Sequence, residues 1–466
     1  MAFTEFCCRS GGSNLNAGTR TGNSTEPGTA ADLTYASGNW VSATGVFTVA
    51  AGDPVADGVA VGDFASVYAD GASVTTLVGR VTARTTTTIT VSTTAKTGTT
   101  TDGTGNRTLK IGGAWLGPNA ASGFPLTFLS AAATNVAAEL PRINLKNDAT
   151  YSVTASVAPS TTQNGLHLQG YTTSYGDGGR FILDGGTSGA SYNLFAPVVN
   201  KFTVIDGIFC NNGATGAAHG VAPSPNVMFF RCVVHNVRGI GFFQGRAVEC
   251  EAYACNASNT SGYGGFYGML YAERCIAHDN TGSNTRGFAN TNLALVECIA
   301  DTNGSHGFDL AASGHMSGCN AYNNGGDGIS ITGTTSEVSI VNCNLIKNTG
   351  YGINAASNVP GGAVLNCGFG SGTQANGSGT TNGIGMMTVI GSVTYASDVT
   401  PWTDPANGDF RISLAAAKGT GRGTFTQTAS SYAGAIGYPD IGAAQHQDAG
   451  GGGGIPIARG MHGGMR

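Results

Sequence analysis

The sequence predicts an all-β protein whose main body is a parallel β-solenoid, with a small β-domain ahead of it and a β cap behind. Three observations carry this. Cys210, Cys232, Cys250, Cys275, Cys298, Cys319, Cys343 and Cys367 follow one another at intervals of 22, 18, 25, 23, 21, 24 and 24 residues. A near-constant step of 20 to 25 residues is the mark of coils that bury their apolar faces only by stacking on neighbours. Two further positions keep the same step: Asn280, Asn303, Asn324 and Asn348 stand five places after a cysteine, with Asn236 one place early, and Gly241-Phe242, Gly265-Phe266, Gly287-Phe288, Gly307-Phe308, Gly328-Ile329 and Gly352-Ile353 follow. Finally, 75 of 466 residues are Gly and only 11% are charged. Thr, Val, Ile and Asn between frequent glycines favour short strands and turns over long helices.

The elements divide the chain as follows. Residues 1–38 read as an arm too polar and Gly-rich to fold alone, suited to lying along another subunit; the vicinal pair Cys7-Cys8 has no assigned role. Residues 39–118 hold Val- and Thr-rich runs such as VFTVA, FASVYA, TLVGRVTAR and TTITVSTT between Gly-Asp turns, bracketed by Trp40 and Trp115, and read as a small antiparallel barrel or sandwich. Residues 119–388 are the solenoid. Residues 389–446 read as a cap on the unpaired edge of the last coil. Residues 447–466 are a Gly-rich tether ending in a peptide with Ile455, Ile457, Arg459 and Arg466 as anchors for a partner.

Strand alternation predicts which side chains face inward. With the cysteines inward, so are Val234, Ala252, Ala277, Ala300, Ala321 and Leu345, two places on, and the Phe and Ile after the glycines form a second internal stack. Asn at its fixed turn is expected to adopt the left-handed conformation and bond its neighbours above and below. Arg231, Glu249, Arg274 and Glu297, just before four successive cysteines, alternate in sign as outward neighbours should. Glu273 resists this register: it falls inward, which requires either a bulge or a buried carboxylate.

Composition excludes several classes. The 22 basic and 27 acidic residues, net −5, are too scattered for a nucleic-acid surface. No run of about 18 apolar residues exists, so a membrane span is not expected. The start MAFTEFCCRSGG has neither a basic nor an apolar leader region, so no secretory signal is expected. Stacked cysteines lie within disulfide range, yet Cys is a favoured small apolar filler, so buried free thiols are expected. No C-x2-C pair is present, and neither a metal nor a cofactor is expected.

The pattern Cys-x4-Asn followed by Gly-Phe or Gly-Ile resembles the right-handed parallel β-helix of pectin-lyase-like proteins, a fold also used by bacteriophage tailspikes and some head-surface proteins. The resemblance implies a bacteriophage virion protein, a homotrimeric capsid decoration (cement) protein or tail spike, assembled in the host cytoplasm and partnered by itself and by other virion proteins such as the major capsid protein. The first alternative it implies is a polysaccharide-degrading tailspike, lyase or glycosidase; the second is a bacterial surface adhesin. Asp301, Asp309 and Asp327 are the candidate catalytic carboxylates, because glycosidases need two carboxyl groups flanking the scissile bond. The Asn-Thr-Asp, Asp-Asp, Gly-His-Gly and Arg-Ile-Lys motifs of polygalacturonase-like enzymes are missing, and catalysis is the less favoured reading. Outward positions three places after the cysteines, His235, Tyr253 and His278 with Tyr322 further on, and the neighbouring Ile276 and Ile299, are expected first as a subunit contact and second as a surface for a glycan.

Overall fold

The computed structural model describes residues 3–13, 16–17, 30–72, 77–97, 101–116, 140–153, 156–157, 165–186, 193–196, 203–211, 219–221, 225–255, 262–291, 294–311, 314–332, 337–355, 362–370, 388–390, 393–395, 401–407 and 409–414. Among these residues the only helical segment is the 3-10 turn Pro405–Asn407. The chain divides into two compact units, residues 1–215 with 221–233, and residues 216–220 with 234–466.

In the first unit, six antiparallel strands close a barrel in the order Leu33–Val41, Val46–Thr48, Thr88–Thr97, Leu77–Arg84, Phe64–Ala69, Gly103–Ile111. Trp40, Phe47, Val67, Ile89 and Leu109 fill it. The barrel therefore starts at Leu33, inside the stretch expected to be an arm. At the start of the expected arm, Phe3–Arg9 is a strand, pairing in parallel with Leu140–Lys146 (Phe6 opposite Ile143) and with Trp115–Leu116; residues 14–15 and 18–29 lie outside the described residues. Phe6, Cys7 and Cys8 are consecutive and all buried, so the strand is covered on both faces by its own chain, and Cys7 Sγ lies 3.1 Å from the Tyr171 hydroxyl. Leu166–Tyr171, Thr203–Asp206 and Val227–Phe230 extend this sheet in parallel register.

In the second unit each coil contributes one strand to each of three parallel sheets. The first sheet runs Arg246–Val248, Tyr271–Glu273, Ala294–Val296, Gly314–Ser317, Val338–Val341, Ala363–Leu365 and Thr388–Ile390. The second runs Glu251–Tyr253, Ile276–His278, Ile299–Asp301, Asn320–Tyr322, Asn344–Ile346, Gly368–Phe369 and Val393–Thr394. The third runs Phe242–Phe243, Gly264–Tyr267, Arg286–Thr291, Phe308–Leu310, Ile329–Ile331 and Ile353–Ala355. The solenoid thus continues to about residue 394, past the boundary expected at 388.

The core consists of vertical columns. Cys250, Cys275, Cys298, Cys319, Cys343 and Cys367 are fully buried, as are Ala252, Ala277, Ala300, Ala321 and Leu345 two places on. Phe242, Phe266, Phe288 and Phe308 stack at ring separations of 4.9, 4.7 and 5.0 Å, one rung apart. The glycine before each ring is demanded by space: a Cβ at Gly287 would meet the Gly307 carbonyl oxygen at 2.6 Å. Cys210 is buried as well, in the strand Ile208–Asn211, where it pairs with Leu183.

Two corners correct the strand-alternation reading. Glu249, Arg274, Glu297, Gly318, Asn342 and Asn366, each just before a cysteine, have φ between 49° and 65°, so the chain turns there in the left-handed region. Alternation restarts at that corner, and Glu273 consequently points outward, paired with Arg274 and accepting a hydrogen bond from Tyr271 at 2.7 Å. It needs neither a bulge nor a buried carboxylate. At the next corner the left-handed residues are Asp279, Thr302, Asn323 and Lys347, one place before the expected asparagines. Asn280, Asn303, Asn324 and Asn348 instead turn inward and form the ladder: each Nδ2 donates to the Oδ1 of the next, at 2.7, 2.9 and 2.8 Å.

After the last coil, Trp402–Asp404 and Asp409–Ile412 form an antiparallel hairpin. Trp402, Phe410 and Tyr395 pack on Ile299, Tyr322 and Ile346. The hairpin therefore covers the lateral outer face of the second sheet, and residues 415–446 of the expected cap lie outside the described residues.

Candidate functional site

On the outer face of the second sheet, Tyr253, His278, Asp301, Tyr322 and Ile346 stand in register. The aromatic stripe expected from the sequence exists, but its rings occupy each other: His235 stacks on Tyr253 at 4.1 Å and Tyr253 on His278 at 5.0 Å, within 23° and 5° of parallel. Ring faces used in this way are closed to a sugar. His278 is buried, with Nε2 2.6 Å from Glu251 Oε1 and Nδ1 2.7 Å from Asp279 Oδ2. Ile299 and Tyr322 lie under the hairpin, and Ile276 packs against the same cluster. The apolar residues expected to meet a second subunit are thus covered by their own chain, because Trp402 and Phe410 supply the matching apolar surface. Asp301 is buried in this stripe and accepts a hydrogen bond from Thr302 Oγ1 at 2.7 Å.

Asp309 and Asp327 belong to the third sheet. Phe308 and Leu310 point inward and Asp309 outward, in register with Ser330, which is in register with Asn354. The Asp309 carboxylate is held by Arg286, by Thr332 Oγ1 (3.3 Å) and by the Asn290 N–H (3.4 Å). Asp327 lies at the turn before its strand and accepts from the Tyr351 N–H (2.8 Å) and from Asn354 Nδ2 (3.0 Å). His306 Nδ1 lies 3.0 Å from the Asp327 backbone nitrogen and 3.2 Å from Asp327 Oδ2. Burial raises the Asp327 pKa, but the neighbouring His306 and the two hydrogen bonds outweigh it and hold the carboxyl below its ordinary value.

The same outer face continues across earlier coils with residues that sequence reading passed over. Phe243 and Tyr267 are in register, and each follows an inward Phe by one place. Their rings meet edge to face at 5.2 Å; Tyr263 meets Tyr267 at 6.3 Å, and His219 meets Phe243 at 5.3 Å and Tyr263 at 5.6 Å. All four rings are half-buried. Burial holds the His219 pKa below the usual histidine value. Asn290 Nδ2 reaches the Tyr267 hydroxyl at 3.4 Å and links this cluster to Arg286 and Asp309. The signal was present in the sequence: the residue after the Gly-Phe pair repeats at the coil step as Phe243, Tyr267, Asp309, Ser330 and Asn354, with a bulge at Asn290, which has φ 51°.

All eleven cysteines are free and buried. Burial pushes the Cys255 thiol up to about 12, and Cys298, Cys319 and Cys367 well above the ordinary value, which suppresses thiolate chemistry. The column thiols donate inside the solenoid, Cys298 to the Ala272 carbonyl at 3.4 Å and Cys319 to that of Leu295 at 3.5 Å. Among the described residues no group of three or more His, Cys, Asp or Glu is placed to hold a metal ion. Ile455, Ile457, Arg459 and Arg466 lie outside the described residues.

Parallel coils with three sheets and an internal asparagine ladder define a parallel β-solenoid, and the chain also holds a small antiparallel barrel. The model of the right-handed β-helix region matches residues 199–369. No curated protein matches the chain. Among solved structures, the A-module of the mannuronan C-5 epimerase AlgE4 from Azotobacter vinelandii is similar at 15% identity, covering 60% of this chain and 86% of that one with a TM-score of 0.41. Pectate lyase Pel9A is similar at 15% identity, covering 67% and 90% with a TM-score of 0.34.

Proposed function

We propose that this protein is a rigid attachment element, a β-helical component of a bacteriophage particle of the spike or head-decoration type, that contacts polysaccharide without turning it over. The observation that carries the reading is the state of Asp309 and Asp327: both carboxylates are spent on hydrogen bonds that join neighbouring coils. A glycosidase needs one carboxyl whose pKa is raised so that it can donate a proton; Asp327 is shifted the opposite way. The placement in a particle rests on the sequence resemblance, and mass analysis of purified particles tests it. Hundreds of copies per particle support decoration, a handful support a spike, and absence overturns both. Trimer formation belongs to the same proposal, although Ile276, Ile299 and Tyr322 no longer support it.

A second reading, polysaccharide cleavage, has one observation in its favour: Asp309 and Asp327 stand on adjacent coils of one outer face. Asp309→Asn and Asp327→Asn separate the two readings. If the carboxylates join coils, each variant melts at a lower temperature by an amount equivalent to about 1–3 kcal/mol, the cost of a weakened buried charged network, and the wild type releases no chain ends. The pH dependence follows from the sign of the Asp327 shift. A depressed carboxyl stabilises the fold above its unfolded pKa, and this contribution is lost as pH falls through its folded value. Melting curves of Asp327→Asn should therefore fall less steeply than wild type as the solution is acidified below about pH 4. Wild-type cleavage that disappears in a folded Asp309→Asn variant would favour the enzyme.

A further inference from the structure

We propose that the coil of Cys275 is a pH-operated clasp: Arg274, a permanent cation, and His278, a titratable one, tie it to the coils of Cys250 and Cys298, and deprotonation of His278 loosens the solenoid there. The inference goes beyond the attachment reading and is independent of it.

The two cations bracket the strand Ile276–His278, Arg274 at the corner before it and His278 at its end, and each meets carboxylates in the same way. Arg274 pairs with Glu249 of the preceding coil at 3.1 Å and with Glu273 beside it. His278 has Nε2 2.6 Å from Glu251 of the preceding coil and Nδ1 2.7 Å from Asp279 beside it. One coil further on, Glu297 takes the corner position that Arg274 holds, and Asp301 is in register with His278; both are buried. The basic pair thus lies between two acidic pairs. An ionised carboxylate only accepts hydrogen bonds, so an imidazole between two of them satisfies both by carrying a proton on each nitrogen. The Tyr253 ring, 5.0 Å from that of His278 and within 5° of parallel, presents a π face to the same charge.

Only one of the two cations can be switched. Burial works against the charge on Arg274, but Glu273, Glu249 and Glu297 outweigh it and raise its pKa, so the guanidinium stays charged. Histidine is the side chain that changes charge near neutrality. Once His278 loses its proton, Arg274 is left to face Glu249, Glu251, Glu273, Asp279, Glu297 and Asp301. Other titratable groups on the elements packed against this coil are already placed: Arg286 is paired with Asp309, the Tyr267 hydroxyl meets Asn290, His235 lies beyond the Tyr253 ring, and the thiols of Cys250, Cys275 and Cys298 are inside the solenoid. The hairpin on Ile276 and Ile299 carries Asp404 and Asp409 with Arg411. Burial of His278 favours the neutral ring, and two carboxylates at hydrogen-bond distance outweigh it. The folded state therefore binds this proton more tightly than the unfolded chain. Its contribution is complete below about pH 6.5, the ordinary histidine value, and is lost as pH rises through the folded value.

Two measurements on the full-length protein test the clasp. In an NMR titration with labelled histidine rings, the His278 signal, identified by its loss in His278→Gln or its displacement in Asp279→Asn, should have a midpoint at least about one unit above the ordinary value of about 6.5. His167, pushed down to about 4 by burial, and His219, held low by burial, titrate on the other side and do not interfere. In hydrogen exchange, corrected for the intrinsic pH dependence of the rate, the amides of Glu251–Tyr253 and Ile276–His278 should lose protection between about pH 6.5 and pH 9, about tenfold for each unit by which the midpoint is raised. Asp279→Asn, which changes an exposed carboxylate, should lower the midpoint and shrink this loss, and His278→Gln should abolish it. A His278 midpoint at or below the ordinary value, protection in these strands that does not change with pH, or the same change in His278→Gln would overturn the clasp.

Discussion

Asn303 shows how a single residue fixes a coil. Its side chain accepts from Asn280, donates to the Ala277 carbonyl at 3.1 Å and to Asn324 Oδ1 at 2.9 Å, and it is buried. Asn303→Ala removes three hydrogen bonds from the buried ladder, while Asn280 Nδ2 keeps the Ala252 carbonyl and Asn324 Oδ1 keeps the backbone N–H of residue 303, so we expect a loss of about 1–3 kcal/mol. Denaturant unfolding with an unchanged slope checks it; a loss within about 0.5 kcal/mol, the range of ordinary surface changes, would show that the ladder does not hold the coils. The ladder itself was legible, because Asn recurs five places after four successive cysteines. Its geometry was not: the left-handed turn falls on Asp279, Thr302, Asn323 and Lys347, and Thr and Lys have no intrinsic preference for that region. The backbone path of the corner, imposed by stacking, overrides the local propensity. The same corner geometry explains Glu273, whose outward direction depends on a positive φ at Arg274 that nothing in the residue type announces.

At the scale of elements, the hairpin around Trp402 and Phe410 has the clearest consequence. Exposed rows of apolar residues on a sheet favour association, and here an element from the same chain covers them. Trp402→Ala removes the largest ring of the cluster and should cost about 3–5 kcal/mol, as for other large aromatic truncations. It should also open Ile299 and Tyr322 and cause self-association. Light scattering on the eluting protein checks this, and a variant that melts like the wild type and keeps its mass would show that the hairpin is not needed to cover the face. Sequence reading found the apolar row and looked for a second subunit, since nothing within residues 389–446 marks which surface the hairpin meets. It likewise treated Phe3–Arg9 as an arm: strand pairing across more than a hundred residues leaves no local trace beyond the short apolar run Phe6-Cys7-Cys8. The barrel was recognisable from its Val- and Thr-rich runs because each pairs antiparallel with a partner close in sequence.

Over the whole molecule, the coil step was readable because one set of interior positions repeats seven times or nearly so, with Cys, Ala and Phe each fitting a column of fixed width. Function was less legible, since the positions that set it are the outward ones, and these vary from coil to coil. Asp309 and Asp327 stood out as acids, but their partners Arg286, His306, Thr332, Tyr351 and Asn354 come from neighbouring coils, and only the register brings them together. That register turns two catalytic candidates into inter-coil contacts. The most direct test is a count of new chain ends after the wild-type protein is incubated with neutral and acidic polysaccharides. The account expects every polymer to keep its length; new reducing or unsaturated ends, generated in step with protein concentration and lost in Asp309→Asn, would contradict it.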